Sequence, residues 1–291
     1  MEIKKVAFIG LGVMGYPMAG YLQKNELEVN VFNRTLSKAK KWVSEYGGSL
    51  ATSPGEAVKN ADAVLICVGR DEDLREVMEG PNGILDNSKK DVIIIDHTTA
   101  SADIAREYAI KCSHKGKFFL DAPISGGQAG AENGQLSIMV GGDEDAFNKV
   151  KSILLNYGKA IELIGASGTG QLTKMINQIC IAGLIQGLSE AMAFGKKSNL
   201  DMEKVLKVIS KGAAQSWQME NRYRTMLDGK FDYGFAVDWM RKDLSYCFNE
   251  AKKNNSSLPI TEIVDQYYKK VQENGGRRLD TSSLMTLVDK K

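Results

Sequence analysis

Residues 6–15 read Val-Ala-Phe-Ile-Gly-Leu-Gly-Val-Met-Gly, and this stretch decides the fold. Four apolar residues of strand character lead into the glycine pattern G-x-G-x-x-G, and residues 14–24 continue with helical periodicity. In such a turn Gly10 permits a tight bend, Gly12 lets a phosphate approach the backbone, and Gly15 lets the helix pack against the sheet. The helix N-terminus favours an anion. The stretch therefore predicts a dinucleotide-binding turn formed by Gly10, Leu11, Gly12, Val13, Met14 and Gly15.

The first half of the chain alternates short apolar runs with helical segments, which is typical of a parallel sheet covered by helices on both faces. Strands are predicted at residues 6–9, 29–32, 63–68, 92–96 and 118–121, with further strands at 136–140 and 160–164. The helical segments between them are long enough for right-handed crossovers. The sequence predicts an α/β fold in which residues 1–164 form a doubly wound, Rossmann-type cofactor domain.

The second half of the chain is predicted to be an all-α domain. Residues 165–170 hold three glycines in six positions and mark a junction. Predicted helices follow at residues 171–197, 202–210, 243–253 and 261–273. We expect residues 165–291 to form a helical domain for substrate binding and dimerisation that begins with a long interdomain helix. The apolar character of that helix suggests a homodimer or homotetramer.

Composition excludes several classes of protein. The chain has 38 Lys and Arg against 36 Asp and Glu, so the sequence predicts no nucleic-acid partner. The weakly charged stretch 175–195 contains amides and an acid, which favours a buried helix over a membrane span. Four scattered cysteines and an N-terminal apolar run too short for a signal peptide suggest a cytoplasmic protein. With two histidines and no H-E-x-x-H pattern, no metal site is predicted.

The end of the second predicted strand bears on the choice of cofactor. It reads Val-Phe-Asn-Arg-Thr over residues 31–35, about where an NAD-specific site carries an acid for the ribose 2′-hydroxyl. Here there is no acid, and Arg34 is placed to pair with a 2′-phosphate. We predict NADP, with NAD as the alternative, and assign Asn33, Arg34 and Thr35 to the cofactor site.

The chain resembles the β-hydroxyacid dehydrogenase family, the group of 3-hydroxyisobutyrate dehydrogenase, glyoxylate/succinic semialdehyde reductase and tartronate semialdehyde reductase. Four segments carry the resemblance in the right order over essentially the whole length: G-L-G-V-M-G-Y-P-M at 10–18, D-A-P-I-S-G-G at 121–127, G-T-G-Q-L-T-K-M-I-N at 168–177, and K-D-L at 242–244. Together they are highly specific. They imply a dehydrogenase of small hydroxy acids.

The resemblance implies a substrate site. Ser125, Gly126 and Gly127 would hold the substrate carboxylate, and a serine with two glycines at a strand end can itself form a small anion nest. Lys174 would be the catalytic residue, because a carbonyl reduced by hydride leaves an alkoxide that must take a proton. Asn177 and Gln178 follow on the same predicted helix face. Many family members carry asparagine four residues after the lysine, so either amide here is a candidate for contact with the substrate.

The resemblance also implies further contacts. Lys242 matches a family lysine that closes over the cofactor. Cys67, Val68 and Asp73 follow the strand that lines the adenine-ribose side, and Thr99, or its neighbour Thr98, approaches the nicotinamide. Trp217 is assigned to the substrate pocket, as part of an aromatic wall near Arg222 or Arg241.

Together the residues and the resemblance predict an NAD(P)-dependent oxidoreductase with Lys174 as general acid and base. The candidate substrates are 3-hydroxyisobutyrate, tartronate semialdehyde, glyoxylate and succinic semialdehyde. A histidine base, His97 or His114, is an alternative. Two other functions are a 6-phosphogluconate-dehydrogenase-like oxidative decarboxylase and a noncatalytic NADP-binding sensor.

Overall fold

A computed structural model describes residues 3–289. The chain divides into two compact units, Met1–Lys174 and Met175–Lys291. The division falls inside the longest helix, so the first unit contains the first turns of that helix. The domain boundary inferred from sequence, between residues 164 and 165, stays a prediction.

The first unit contains a sheet whose strands are β1 (Lys5–Ile9), β2 (Glu28–Phe32), β3 (Ser49–Leu50), β4 (Ala63–Ile66), β5 (Ile93–Asp96), β6 (Phe118–Asp121), β7 (Ile124–Ser125), β8 (Leu136–Gly141) and β9 (Gly158–Gly165). Its helices are α1 (Gly15–Lys24), α2 (Leu36–Tyr46), α3 (Pro54–Val58), α4 (Asp71–Glu79), α5 (Ile84–Asn87), α6 (Ala102–His114), α7 (Gly127–Glu132) and α8 (Glu144–Leu154). Helix α9 (Thr169–Lys197) begins in this unit.

The strand order is β3-β2-β1-β4-β5-β6-β8-β7, with β9 also paired to β8. Strands β3 to β6 in this order are parallel, β8 runs antiparallel to β6 and β7, and β9 runs parallel to β8. Strands β4 and β5 are buried along their whole length because helices cover both faces, which explains their continuous Val and Ile runs. The order places the loops after β1, β4, β5 and β6 side by side at one edge.

The second unit is helical. It contains the remainder of α9, then α10 (Met202–Ile209), α11 (Trp217–Leu227), α12 (Val237–Asn254), α13 (Pro259–Glu273) and α14 (Met285–Val288), with a short 3₁₀ turn at Thr281–Leu284. Its core is rich in methionine, including Met192, Met226 and Met285. The predicted fold class, an N-terminal doubly wound domain followed by a helical one, is confirmed.

Candidate functional site

The glycine turn after β1 has two glycines that the protein itself requires. Gly10 has φ of +100°, and a Cβ there would lie 2.3 Å from the carbonyl oxygen of Cys67 at the end of β4. A Cβ on Gly15 would lie 2.1 Å from the carbonyl oxygen of Gly10. Gly12 differs, because a Cβ there would meet nothing within 4 Å. The open space above Gly12 is therefore not needed for packing within the chain.

This open turn fits the pyrophosphate of a nicotinamide dinucleotide. Helix α1 has no side chain that caps its N-terminus and no acid in its first turn, and Met14 stands at its N-cap position. An anion is thus favoured there by the helix dipole and the backbone N–H groups. Val13 is exposed beside the turn. The residues present match what a bound pyrophosphate needs.

Asn33 braces this turn from the end of β2. Its Oδ1 accepts a hydrogen bond of 2.9 Å from the backbone N–H of Leu11, and its Nδ2 donates one of 3.0 Å to the carbonyl oxygen of Thr35. Asn33 therefore fixes the glycine turn relative to the following loop. Sequence reasoning placed Asn33 at the cofactor and missed this bracing role.

Arg34 is exposed at the same loop. Its side chain is 79% exposed, and Nη1 lies 3.5 Å from Oδ1 of Asp73 and 3.8 Å from Oε2 of Glu76, both on α4. Pairs of such exposed groups contribute little free energy, so the guanidinium remains available to an anionic ligand. Thr35 stands at the N-cap of α2 without a side-chain capping bond. Arg34 and Thr35 thus lie together beyond the glycine turn.

The loops after β4 and β5 are tied together by Thr98. Its Oγ1 accepts a hydrogen bond of 3.1 Å from the backbone N–H of Val68, and its carbonyl oxygen accepts one of 2.7 Å from Nε2 of Gln171. Thr98 is 1% exposed, whereas Thr99 and Cys67 are only partly buried. Thr98 therefore connects the loop after β5 to the loop after β4 and to Gln171. Thr99 is the more accessible of the two threonines.

His97 is a structural residue of the first unit. Its Nδ1–H donates to the carbonyl oxygen of Ala122 at 2.6 Å, and Nε2 accepts from the hydroxyl of Tyr157 at 2.8 Å. Burial lowers the pKa of His97 to about 4, so the ring is neutral at physiological pH. Both nitrogens are engaged inside the protein, which argues against His97 as the proton donor.

Asp96, the last residue of β5, is a buried carboxyl group. Oδ1 accepts a hydrogen bond of 3.0 Å from the backbone N–H of Thr98, while Oδ2 has no hydrogen-bond partner. Burial raises the pKa of Asp96 from 3.8 to about 7, and the neighbouring carboxyl groups of Asp121 and Asp71 contribute. The folded state therefore binds this proton more tightly than the unfolded chain does.

This raised pKa has a stability consequence. A group whose pKa is higher in the folded state stabilises fully below its unfolded pKa, and that contribution is lost as pH rises towards about 7. We expect Asp96→Asn to raise the free energy of unfolding at pH 8 by roughly 1 to 4 kcal/mol, and to change it little near pH 4. Urea unfolding at both pH values measures this. Asp103→Asn, which alters an exposed carboxylate, is the control; an equal effect of Asp96→Asn at both pH values would contradict the account.

The substrate segment begins at β7. Ser125 is partly buried and is followed by Gly126 and Gly127, with φ values of +131° and +63° that favour glycine. Lys174 is 7% exposed, and its Nζ donates a hydrogen bond of 2.8 Å to the carbonyl oxygen of Ile124. The ammonium group of Lys174 is therefore held beside the Ser-Gly-Gly segment.

In the helical unit, Gln178 lies at the centre of a buried polar cluster. Its Nε2 donates to Oδ2 of Asp243 at 2.7 Å, and its Oε1 accepts from Nδ2 of Asn177 at 2.8 Å. Nζ of Lys242 lies 3.1 Å from Oδ1 of Asp243 and 5.5 Å from the ring centre of Trp239. Both the oxygen and the nitrogen of the Gln178 amide are thus hydrogen-bonded within the protein. Asp243 also belongs to this cluster, although the sequence analysis did not single it out.

Trp217 opens helix α11 and is 42% exposed. The guanidinium of Arg222 lies 4.9 Å from its ring centre, and Nε of Arg222 is 3.4 Å from Oδ1 of the buried Asp280. Arg241 forms two hydrogen bonds with Asp265, of 2.8 and 2.9 Å. Both arginines therefore have carboxylate partners within the helical unit.

Within residues 3–289, no helix is long and apolar enough to cross a membrane. In the same range, no three His, Cys, Asp or Glu side chains are grouped so that they could hold a metal ion.

Two family models match the chain, one in each half. Residues 5–165 match the family model described as the NAD binding domain of 6-phosphogluconate dehydrogenase. Residues 168–288 match the family model described as "NAD-binding of NADP-dependent 3-hydroxyisobutyrate dehydrogenase". The chain belongs to the β-hydroxyacid dehydrogenase family. It is accordingly an oxidoreductase that binds a nicotinamide cofactor.

Individual relatives agree with the family. An uncharacterized oxidoreductase of Shewanella frigidimarina is 56% identical over 98% of both chains. The 2-hydroxy-3-oxopropionate reductase of Escherichia coli is 34% identical over 98% of this chain and 97% of its own. The structure of Mycobacterium tuberculosis 3-hydroxyisobutyrate dehydrogenase with L-serine is 27% identical, covers 100% of both chains and has a TM-score of 0.87.

Proposed function

We propose that the protein is an NADP-dependent dehydrogenase that interconverts a small hydroxy acid and its semialdehyde or oxo acid, with Lys174 as general acid and base. The observation that carries this proposal is the hydrogen bond of 2.8 Å from Nζ of Lys174 to the carbonyl oxygen of Ile124. It holds a buried amine directly beside Ser125, Gly126 and Gly127. A small substrate whose carboxylate is bound by that segment would have its carbonyl group near the amine.

Each group of residues then has one task. Gly10, Gly12 and Gly15 with the N-terminus of α1 would hold the pyrophosphate, and Arg34 with Thr35 the adenosine end. When bound, the nicotinamide supplies or accepts the hydride. Ser125, Gly126 and Gly127 would orient the substrate carboxylate through a hydroxyl and backbone N–H groups. Lys174 would give a proton to the substrate oxygen during reduction and take it back during oxidation.

The contacts within the helical unit support a division of roles between two amides. Gln178 is 2% exposed and is engaged at both ends, whereas Asn177 is only partly buried. We infer that Asn177 contacts the substrate oxygen and that Gln178 fixes Asn177. Lys242 and Trp217 remain assigned to cofactor and substrate, respectively.

The experiment that tests the function is a substrate panel. Purified protein is assayed for NADPH and NADH oxidation with methylmalonate, tartronate and succinic semialdehydes and with glyoxylate. We expect turnover with at least one of them, and the preferred substrate names the reaction. Tight NADPH binding without turnover on any of the four would instead support a sensor.

The cofactor preference is tested at Arg34. Arg34→Leu is expected to lower kcat/KM for NADPH about tenfold and to leave kcat/KM for NADH unchanged. A charge-assisted bond to the 2′-phosphate contributes roughly 1.5 to 3 kcal/mol, and competition from Asp73 and Glu76 reduces that gain. Lys40→Leu removes an exposed charge from α2 and is the control. A preference for NADH in the unaltered protein, or an equal loss with both cofactors, would overturn the assignment of Arg34.

We also expect a homodimer or homotetramer. Helix α9 exposes large apolar side chains in the helical unit, among them Leu184 and Phe194, at 45% and 72%. Light scattering of the purified protein gives the subunit count.

A further inference from the structure

The N-terminus of helix α9, which carries Lys174, is capped by a carboxylate from strand β6. Asp121 is fully buried, and its Oδ1 accepts a hydrogen bond of 2.7 Å from the backbone N–H of Gly168. Its Oδ2 accepts one of 2.9 Å from the backbone N–H of Gln171. A carboxylate at this end of a helix is favoured by the helix dipole, and bonds of this kind are among the stronger ones in proteins. Asp121 thus joins the sheet directly to the first turn of α9.

Two glycines let the helix come this close to the sheet. A Cβ on Gly141 would lie 2.7 Å from Oδ1 of Asp121 and 2.8 Å from the backbone nitrogen of Gly170. A Cβ on Gly170 would lie 2.5 Å from the carbonyl oxygens of both Asp121 and Met139. The first turn is therefore packed against the backbones of β6 and β8 and has little room to shift.

Gln171 ties the same turn to the loop after β5. Its side chain is fully buried, with Oε1 accepting a hydrogen bond of 3.1 Å from the backbone N–H of Ala100. Its Nε2 donates one of 2.7 Å to the carbonyl oxygen of Thr98. Lys174 follows Gln171 by three residues, about one turn along the helix. The first turn of α9, which precedes Lys174, is thus bonded to the end of β6 and to the loop after β5.

We propose that Asp121 and Gln171 are positioning residues that fix the amine of Lys174 relative to the loop after β5 and to the Ser125–Gly127 segment. This inference rests on the proposed function of Lys174. Catalysis by a proton donor depends on placing it at hydrogen-bond distance from the reacting oxygen, and a misplacement of about 1 Å can lower a rate about 100-fold. None of these bonds involves the glycine turn after β1.

Two variants test the proposal. Asp121→Asn turns one acceptor into a donor, which must face the backbone N–H of either Gly168 or Gln171. Gln171→Met removes both side-chain bonds at similar volume. Each is expected to lower kcat about tenfold, and the dissociation constant of the reduced cofactor is expected to stay within about threefold. Asp143→Asn is the matched control, because Asp143 caps helix α8 through a bond of 2.8 Å to Ala146, and α8 carries no site residue. The control is expected to keep full kcat.

The same variants in a Lys174→Ala background separate positioning from general damage. If Asp121 and Gln171 act through Lys174, adding either change to Lys174→Ala leaves the residual rate unchanged. Added ethylamine, which no helix positions, should raise the rate of Lys174→Ala with and without Asp121→Asn by the same factor. Additive losses, or unchanged kcat in both single variants, would overturn the positioning role. An unchanged rate in Lys174→Ala alone would instead overturn the proposed function.

Discussion

Replacing Lys174 by alanine is expected to lower kcat about 10²- to 10⁴-fold, the usual contribution of a positioned general acid. The amine is buried, and its Nζ lies 2.8 Å from the carbonyl oxygen of Ile124, next to the Ser125–Gly127 segment. Cofactor affinity should stay within about threefold, because the glycine turn is formed by other residues. Steady-state kinetics and a fluorescence titration with reduced cofactor measure the two quantities.

Two further variants separate the possible reasons for such a loss. Lys174→Arg keeps the positive charge but cannot give up a proton near neutral pH. It should therefore remain strongly impaired if Lys174 transfers a proton, and it should recover much of the rate if only the charge matters. Lys197→Ala removes an exposed lysine from the other end of the same helix and should leave kcat unchanged. Full turnover in Lys174→Ala would show that a group other than Lys174 transfers the proton.

The central strands of the first unit could be predicted because strands that are buried on both faces of a sheet consist of continuous apolar residues. Ile93–Asp96 and Ala63–Ile66 are examples in which every residue is buried. The two-residue strands Ser49–Leu50 and Ile124–Ser125 were not predicted, because two residues show no periodicity. Their pairing depends on the neighbouring strands. Helix α12 begins at Val237, six residues before the predicted start at 243.

Some residues of the candidate site could likewise be predicted from the sequence, and others could not. Gly10, Gly12, Gly15 and Lys174 stand in short local motifs, so the sequence was enough to single them out. Asp121 was noticed only as part of a motif, because its partners Gly168 and Gln171 lie 47 and 50 residues away along the chain. Which backbone N–H a buried carboxylate meets is a property of the folded chain. Sequence reasoning can place such an acid at a strand end but cannot assign its partner.

Substitutions at Gly12 and Gly15 are expected to have large but different effects. Gly12 leaves room for the cofactor, whereas Gly15 is required for packing of the turn. A Cβ on Gly12 would meet nothing within 4 Å, so we expect Gly12→Val to fold and to change the free energy of unfolding by less than about 1 kcal/mol. The new side chain would occupy the space of the pyrophosphate and prevent about two charge-assisted bonds of roughly 1.5 to 3 kcal/mol each. We therefore expect the dissociation constant of the reduced cofactor to rise about 100-fold or more.

Gly15→Ala is the matched comparison and should show the opposite pattern. Its Cβ would lie 2.1 Å from the carbonyl oxygen of Gly10 and 2.9 Å from Cε1 of Phe8, so the turn must shift away from the sheet. Overpacking of this kind lowers the free energy of unfolding by roughly 1 to 3 kcal/mol. Urea unfolding without cofactor separates the two variants. An unchanged dissociation constant of the reduced cofactor in Gly12→Val would contradict the assignment, because the pyrophosphate could then not lie against Gly12.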